Sequence, residues 1–496
     1  MRVSAAATLV LRNGKIITVD RRFSIAEAVA IGEGKVLHVG RSLEMQPFIG
    51  PETRVLELGG QCVIPGFIDT HAHMDREGMK DQFPSLAGSR SIAETVDIIA
   101  QEVVKKRPGE WLITNPIGTP PFYFDAPVMV AEKRVPTRWD LDAASPENPV
   151  YIQAIWGYWG WPPLVSVLNS RALEVCGITR HTQPPWEGIE ILKDRQGEPT
   201  GVVLEHHFVP ALEFTLLEQA PRFTLAQRTA GLSIAMQRYT AAGTTSIYEG
   251  HGVDPDLMLA YKHLWARREM IVRAHLLFTP PAKSIPEFRE QVEDWTRAAS
   301  GAGIGDDWLR VGGVCFQLSG NQTVAELRRR AKPYTGWAGH YHDPVTPEQL
   351  RALVMLAAEN DLRVCVLADQ IPEHVTPMRD LFDRGIPVTI ETDGSPIEPL
   401  HALWALLTRC ERETGEVIAP RQKISRAEAL QACTLNGAYL TFDEERTGSL
   451  EPGKWADLVV LAEDLLTVPE DRIKAIPVTM TVVGGRIVHE IPQAMV

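Results

Sequence analysis

The stretch Val63-Ile64-Pro65-Gly66-Phe67-Ile68-Asp69-Thr70-His71-Ala72-His73 decides the fold. An apolar run ends in two histidines at i and i+2. Alternate side chains of a β-strand share a face, so both imidazoles aim at one point. Two converging ring nitrogens suit a divalent transition metal. Pro65-Gly66 breaks the chain just before, so this strand begins a new unit. A bare H-x-H would also suit two solvated histidines, and the surrounding residues choose between the two.

Working outward, residues 8–19 carry two apolar runs joined by Asn13-Gly14, which predicts a hairpin. Ala28–Ile31 and Lys35–Val39 repeat the pattern around Gly32-Glu33-Gly34, and Arg54 to Cys62 adds another strand. A β segment of about sixty residues is too small for a good core of its own. Its partner is expected at the far end, where Ala456–Leu461 and Val478–Val488 again read as strands with a Gly484-Gly485 turn.

The string P-G-F-I-D-T-H-A-H is similar to the first-strand signature of the amidohydrolase superfamily. Gly448-Ser449-Leu450-Glu451-Pro452-Gly453-Lys454-Trp455-Ala456-Asp457 resembles that superfamily's return into its β-sandwich. The block after His73, rich in Trp and Pro, is similar to the insertion of the branch that includes N-substituted formamide deformylase. The resemblance implies an α/β fold: a TIM-like (β/α)8 barrel with metal at the C-terminal ends of its strands. It also implies a discontinuous β-sandwich from residues 1–62 plus 445–496, a barrel over 63–444, and an inserted subdomain over 75–235.

Further barrel strands are expected at Gly243–Glu249, Ile271–Phe278, Leu309–Leu318, Leu362–Ala368 and, as strand eight, Pro387–Pro396. Thr346-Pro347-Glu348 opens a helix with apolar positions at Leu350, Leu353, Val354, Leu356 and Ala357. Between strand-five and strand-eight candidates lie only residues 371–386, whereas one βαβ unit takes ~30 residues. Strands six and seven are therefore short or missing. A strand of the insertion completes the barrel, or the barrel is open, or the sequence carries an internal deletion.

Residue by residue, the resemblance assigns His71, His73 and Asp393 to the metal, with Asp393 also as the catalytic acid–base. The strand-four lysine position holds Cys315, which zinc could accept as thiolate or which is a core cysteine. The strand-five histidine position holds Leu367, or its neighbour Asp369. His374 resembles a remnant of the strand-six histidine and is a further ligand candidate. His251 and His275 stand near strand ends. His340 and His342 form a second H-x-H, expected in a loop and facing solvent or substrate, and Trp156 is a candidate substrate wall or core residue. The set implies one divalent metal per chain, with zinc the expected ion.

The implied activity is hydrolysis of a carbon–nitrogen bond, amide or related, by a metal-activated water. Two alternatives remain. One is a catalytically impaired paralogue or ligand-binding scaffold, favoured by Cys315, Leu367 and the short strand-six to strand-seven region. The other is hydrolysis of a non-amide bond on the same scaffold. Net charge of −13 argues against nucleic acid or an anionic membrane surface as partner, leaving a small-molecule substrate. Homo-oligomers are common in the family. Six cysteines without C-x-x-C spacing read as reduced thiols. With no signal peptide and no apolar run near the ~20 residues of a membrane span, a cytoplasmic protein is expected.

Overall fold

The computed structural model describes residues 6–120, 130–155, 162–207, 211–253, 255–278, 284–318, 323, 340–341, 344–368, 377–394, 396–411 and 414–492. Both chain ends build one six-stranded sheet. Cys62–Pro65 pairs with Leu458–Leu461 on one side and with Lys15–Ile17 on the other. A four-stranded sheet of Leu9–Arg12, Ala28–Gly32, Lys35–Gly40 and Arg54–Glu57 shares a core with it: Leu11, Ile31, Val63, Leu458 and Val482 are all buried there.

The expected hairpin at Asn13-Gly14 does not form. Leu9–Arg12 pairs with Ala28–Gly32 and Arg54–Glu57, while Lys15–Ile17 joins the other sheet. The two residues turn a corner between sheets. Asn13 takes φ 59°, and a Cβ on Gly14 would stand 2.9 Å from the Gln61 carbonyl oxygen and closer still to Leu58. Both flanking runs are apolar because both face the shared core, so alternation alone could not separate a hairpin from a crossover.

The central sheet is parallel over five strands: β1 (Phe67–Ala72), β2 (Thr244–Val253), β3 (Arg273–Phe278), β4 (Leu309–Leu318) and β5 (Val364–Ala368), paired in that order. Helix Leu225–Ala241 leads into β2 and meets the turn after β1 backbone to backbone, at Gly78 and Gly231. Helix Pro347–Glu359 leads into β5 and buries Leu353, Leu356 and Ala357, with Thr346 as its N-cap. The architecture is α/β and TIM-barrel-like.

Strand eight is corrected. Residues 387–394 form no β-ladder, although side chains of β1 hold them alongside it. The shortage of chain explains this, because a strand-seven neighbour is not present among the described residues to pair the far edge. The insertion does not supply one. Leu112–Thr114, Val150–Ile152, Leu164–Leu168, Ile189–Lys193 and Pro199–Glu205 make a separate five-stranded sheet, and among the described residues none of these strands pairs with the barrel.

Candidate metal centre

The centre is built on β1 and on the segment 390–393 that β1 holds against its end. Asp69, buried, accepts hydrogen bonds from the Thr392 amide at 3.1 Å and the Thr392 hydroxyl at 2.5 Å. Thr70 donates its hydroxyl to the Ile390 carbonyl at 3.1 Å, and the Asp393 amide donates to the His71 carbonyl at 3.1 Å. Asp69 and Thr70 thus clamp 390–393 across the end of β1. Asp393 takes φ 51°, a left-handed conformation that aspartate tolerates better than most side chains. The bend turns its carboxylate onto the histidines: Oδ1 lies 2.7 Å from His73 Nε2 and 3.6 Å from His71 Nε2.

One ligand atom from each of His71, His73 and Asp393 lies within 4.8 Å of the others. Two imidazoles and a carboxylate are a donor set that zinc and its neighbours accept, and three protein ligands with open positions are what a catalytic ion needs. The residues fit such an ion electrostatically too. Burial opposes a charged His71, yet Glu391, Cys365 and Asp393 outweigh it and raise the imidazole to about 9. This ring of donors therefore favours positive charge at its centre. Space for the His71 ring comes from Gly250 of β2, where a Cβ would stand 2.5–2.9 Å from ring atoms.

A second group, His73, Asp75 and Glu249, is wholly buried and shares His73 with the first. Burial and then Asp75 push the Glu249 carboxyl well above its usual range, and the Tyr261 hydroxyl donates to it. Arg76 Nη2 stands 2.6 Å from His73 Nδ1 and 2.8 Å from Nε2. A guanidinium and a metal cannot use one ring lone pair, so loading His73 requires Arg76 to turn from one nitrogen. Because the Asp393 carboxylate already faces both histidines, the first group is the better cation site.

The remaining candidates separate. Cys315 is fully buried in β4 against Tyr248 and Leu277, outside both donor groups. His275 lies elsewhere, with its Nε2 3.1 Å from Asp443 Oδ2. His340 belongs to a short strand, His340–Tyr341, paired with the end of β2, rather than to the expected loop. Trp156, His342, Asp369 and His374 lie outside the described residues.

Two residues at the site were missed. Glu391 Oε2 is 3.6 Å from His71 Nδ1. Its signal was its spacing: it stands two residues before Asp393, hence on the same face of an extended chain. Cys365 of β5 neighbours both Cys315 and His71, and Cys315, then His71, draw its thiol far below the usual range. That signal needed the β4–β5 register, which sets Cys315 opposite Cys365. Beside Asp393, a cleft of about 800 Å³ runs between Gly394, Pro396, Phe83 and the charged trio Lys80, Asp81 and Arg238. Arg238 is held there by Asp81 at 2.7 Å and Glu77 at 3.1 Å.

The sequence pattern of the amidohydrolase family matches residues 54–373 and 368–489. The chain belongs to the amidohydrolase family. With that family it is a hydrolase of carbon–nitrogen bonds. The two matched pieces of this amidohydrolase meet at 368–373, where too little chain remains for two strands. The N-substituted formamide deformylase of Arthrobacter pascens is 25% identical over 553 aligned positions, covering 97% of this chain and 98% of that protein. That alignment is longer than the 496-residue amidohydrolase itself, so the relative carries segments absent here. The putative amidohydrolase YtcJ of Bacillus subtilis is 24% identical, covering 96% of this chain and 98% of that one. In fold, the amidohydrolase is similar to an uncharacterized metal-dependent hydrolase from Pyrococcus furiosus. The TM-score is 0.62 at 18% identity, over 92% of this chain and 100% of that one. Among the described residues no helix is long and apolar enough to cross a membrane.

Proposed function

We propose that this amidohydrolase cleaves small N-acyl amines, N-substituted formamides foremost, at a single divalent metal held by His71, His73 and Asp393. The observation that carries the reading is the convergence of those three ligand atoms at the end of β1. A bound divalent ion would polarise the scissile carbonyl and bring a water's pKa toward neutrality. Asp393 accepts the proton of the attacking water and returns it to the leaving nitrogen, as base and then acid. Glu391 faces His71 Nδ1 and holds the ring with its other nitrogen toward Asp393. Zinc is the ion that this nitrogen and oxygen set suits best. The formamide assignment is supported by the similarity to the Arthrobacter protein along nearly the whole chain.

In this reading residues 1–62 and 445–496 form a discontinuous sandwich supporting a barrel of 63–444, with 75–235 inserted. The protein acts in the cytoplasm on small molecules. The test is incubation of the zinc-loaded protein with alkyl and aryl formamides, other N-acyl amines, cyclic ureas and esters, with formate and amine release measured. Formamide turnover lost in Asp393→Asn is expected. Turnover of esters or ureas alone would transfer the reading to a non-amide bond. A scaffold that binds without turnover is the second reading, favoured by Cys315 and Leu367 standing where the family pattern has lysine and histidine. Metal retained with no turnover of any class would establish it.

A further inference from the structure

The family resemblance places a β5 ligand position at Leu367, which has no donor atom, or at its neighbour Asp369, which lies outside the described residues. Two positions earlier on the same strand, hence on the same face, stands Cys365. Its thiol lies close enough to His71, one of the three converging ligands, for each to shift the other's protonation. It lies outside the tighter group formed by His71, His73 and Asp393. Beside it, Cys315 is the register partner on β4, fully buried against Tyr248 and Leu277. Cys315 is thus fixed by the core beside Cys365, while Cys365 stands within electrostatic reach of His71. Neither is in a disulfide.

We propose that Cys365 is itself a metal ligand, making this a two-histidine, one-carboxylate, one-thiolate centre, with Cys315 as the residue that positions the sulfur. The proposal rests on the metal reading above and goes further in naming the donor and the class of ion. Coordination replaces the thiol S–H bond with a sulfur–metal bond and releases the proton to solvent. On loading, the thiolate would have to move from its place near His71 to reach the ion. The thiolate supplies negative charge that would otherwise come from Asp393 alone, so Asp393 keeps an oxygen for the water's proton. A sulfur donor also selects the ion: zinc, cadmium and cobalt are favoured over magnesium and manganese, which prefer all-oxygen shells.

The test uses the full-length protein stripped of metal and titrated with cobalt(II), with bound cobalt per chain measured beside the absorption spectrum. A near-ultraviolet thiolate-to-cobalt charge-transfer band is expected, rising with the first equivalent. In Cys365→Ser the band disappears, while cobalt still binds more weakly by at least about tenfold, the lower bound for losing even an outer partner of a ligand. Cys315→Ser keeps the band at reduced affinity. X-ray absorption of the zinc-loaded wild type needs no variant and should contain a sulfur scatterer at about 2.3 Å. One cobalt per chain without the band, and zinc with only nitrogen and oxygen neighbours, would overturn the thiolate ligand and leave the metal site standing. No cobalt bound at His71 and His73 would overturn both.

Discussion

The two ends of the barrel treat charge in opposite ways. Where the strands begin, buried charges are paired. Arg273, the first residue of β3, grips Asp457 through Nε at 2.7 Å and Nη2 at 3.0 Å, between the rings of Trp308 and Trp455. Arg310 of β4 reaches Asp443 at 2.8 Å, and Asp443 also meets His275 at 3.1 Å. These contacts join barrel strands to the C-terminal segment. Where β1 ends, acidic groups and a thiol crowd one imidazole with no lysine or arginine paired to Glu391 or Asp393 among the described residues. The barrel's first end is built for stability. The other gives up stability to keep a place for a cation, the division of labour expected of this architecture.

The largest effect that would break this comparison is on folding. Arg273→Met leaves the buried Asp457 carboxylate with the Gly484 amide but without its cation, and should cost ~3–5 kcal/mol in urea unfolding while sparing metal uptake. A cost below about 1 kcal/mol, the range of an exposed pair, would mean that the paired end carries no special load. Next in size is the catalytic end. Asp393→Asn should lower turnover by about a hundredfold or more, the usual worth of a general acid–base group, with little change in the unfolding midpoint. A collapse of stability instead would show that Asp393 holds the fold rather than the chemistry.

The third effect is in pH. Burial depresses His275 below its ordinary 6.5 despite Asp443, and His275 and Arg310 depress Asp443 below 3.8 against its own burial. In both cases the unfolded chain takes up protons more readily than the folded one. Both contributions are whole at neutral pH and fade as pH falls, that of His275 from 6.5 downward and that of Asp443 from 3.8 downward. The slope is at most about 1.4 kcal/mol per pH unit for each proton. Unfolding midpoints of the wild type and His275→Gln, measured from about pH 8 to about pH 5, should draw together at the acid end, because the wild type falls while the variant stays flatter. Parallel curves would sink this assignment. Smallest is Thr224→Ala, which removes the capping box of helix Leu225–Ala241 beside β1 and should cost about 1 kcal/mol without touching metal affinity.

The sequence made the centre half legible. Pro65 to His73 is a local pattern: a strand with its alternation shown the two imidazoles, and Asp69 and Thr70 turned out to clamp Asp393 from that same strand. Cys365 was illegible because its role depends on lying opposite Cys315 in a neighbouring strand and next to a histidine almost three hundred positions away. Asn13-Gly14 misled because a corner between two sheets and a hairpin make the same demands on the residues that turn. Pro387–Pro396 has a strand's composition, but a ladder needs neighbours, and the shortage of chain before it, visible in the sequence, removed one of them.

The central claim is that a divalent metal sits at the end of β1. Elemental analysis of protein purified without chelator, beside the His71→Ala/His73→Ala double variant, tests it most directly. About one zinc or similar ion per wild-type chain is predicted, lost in a variant that still folds. A wild type that takes up no metal even after reconstitution, or a double variant that retains it, would contradict the account.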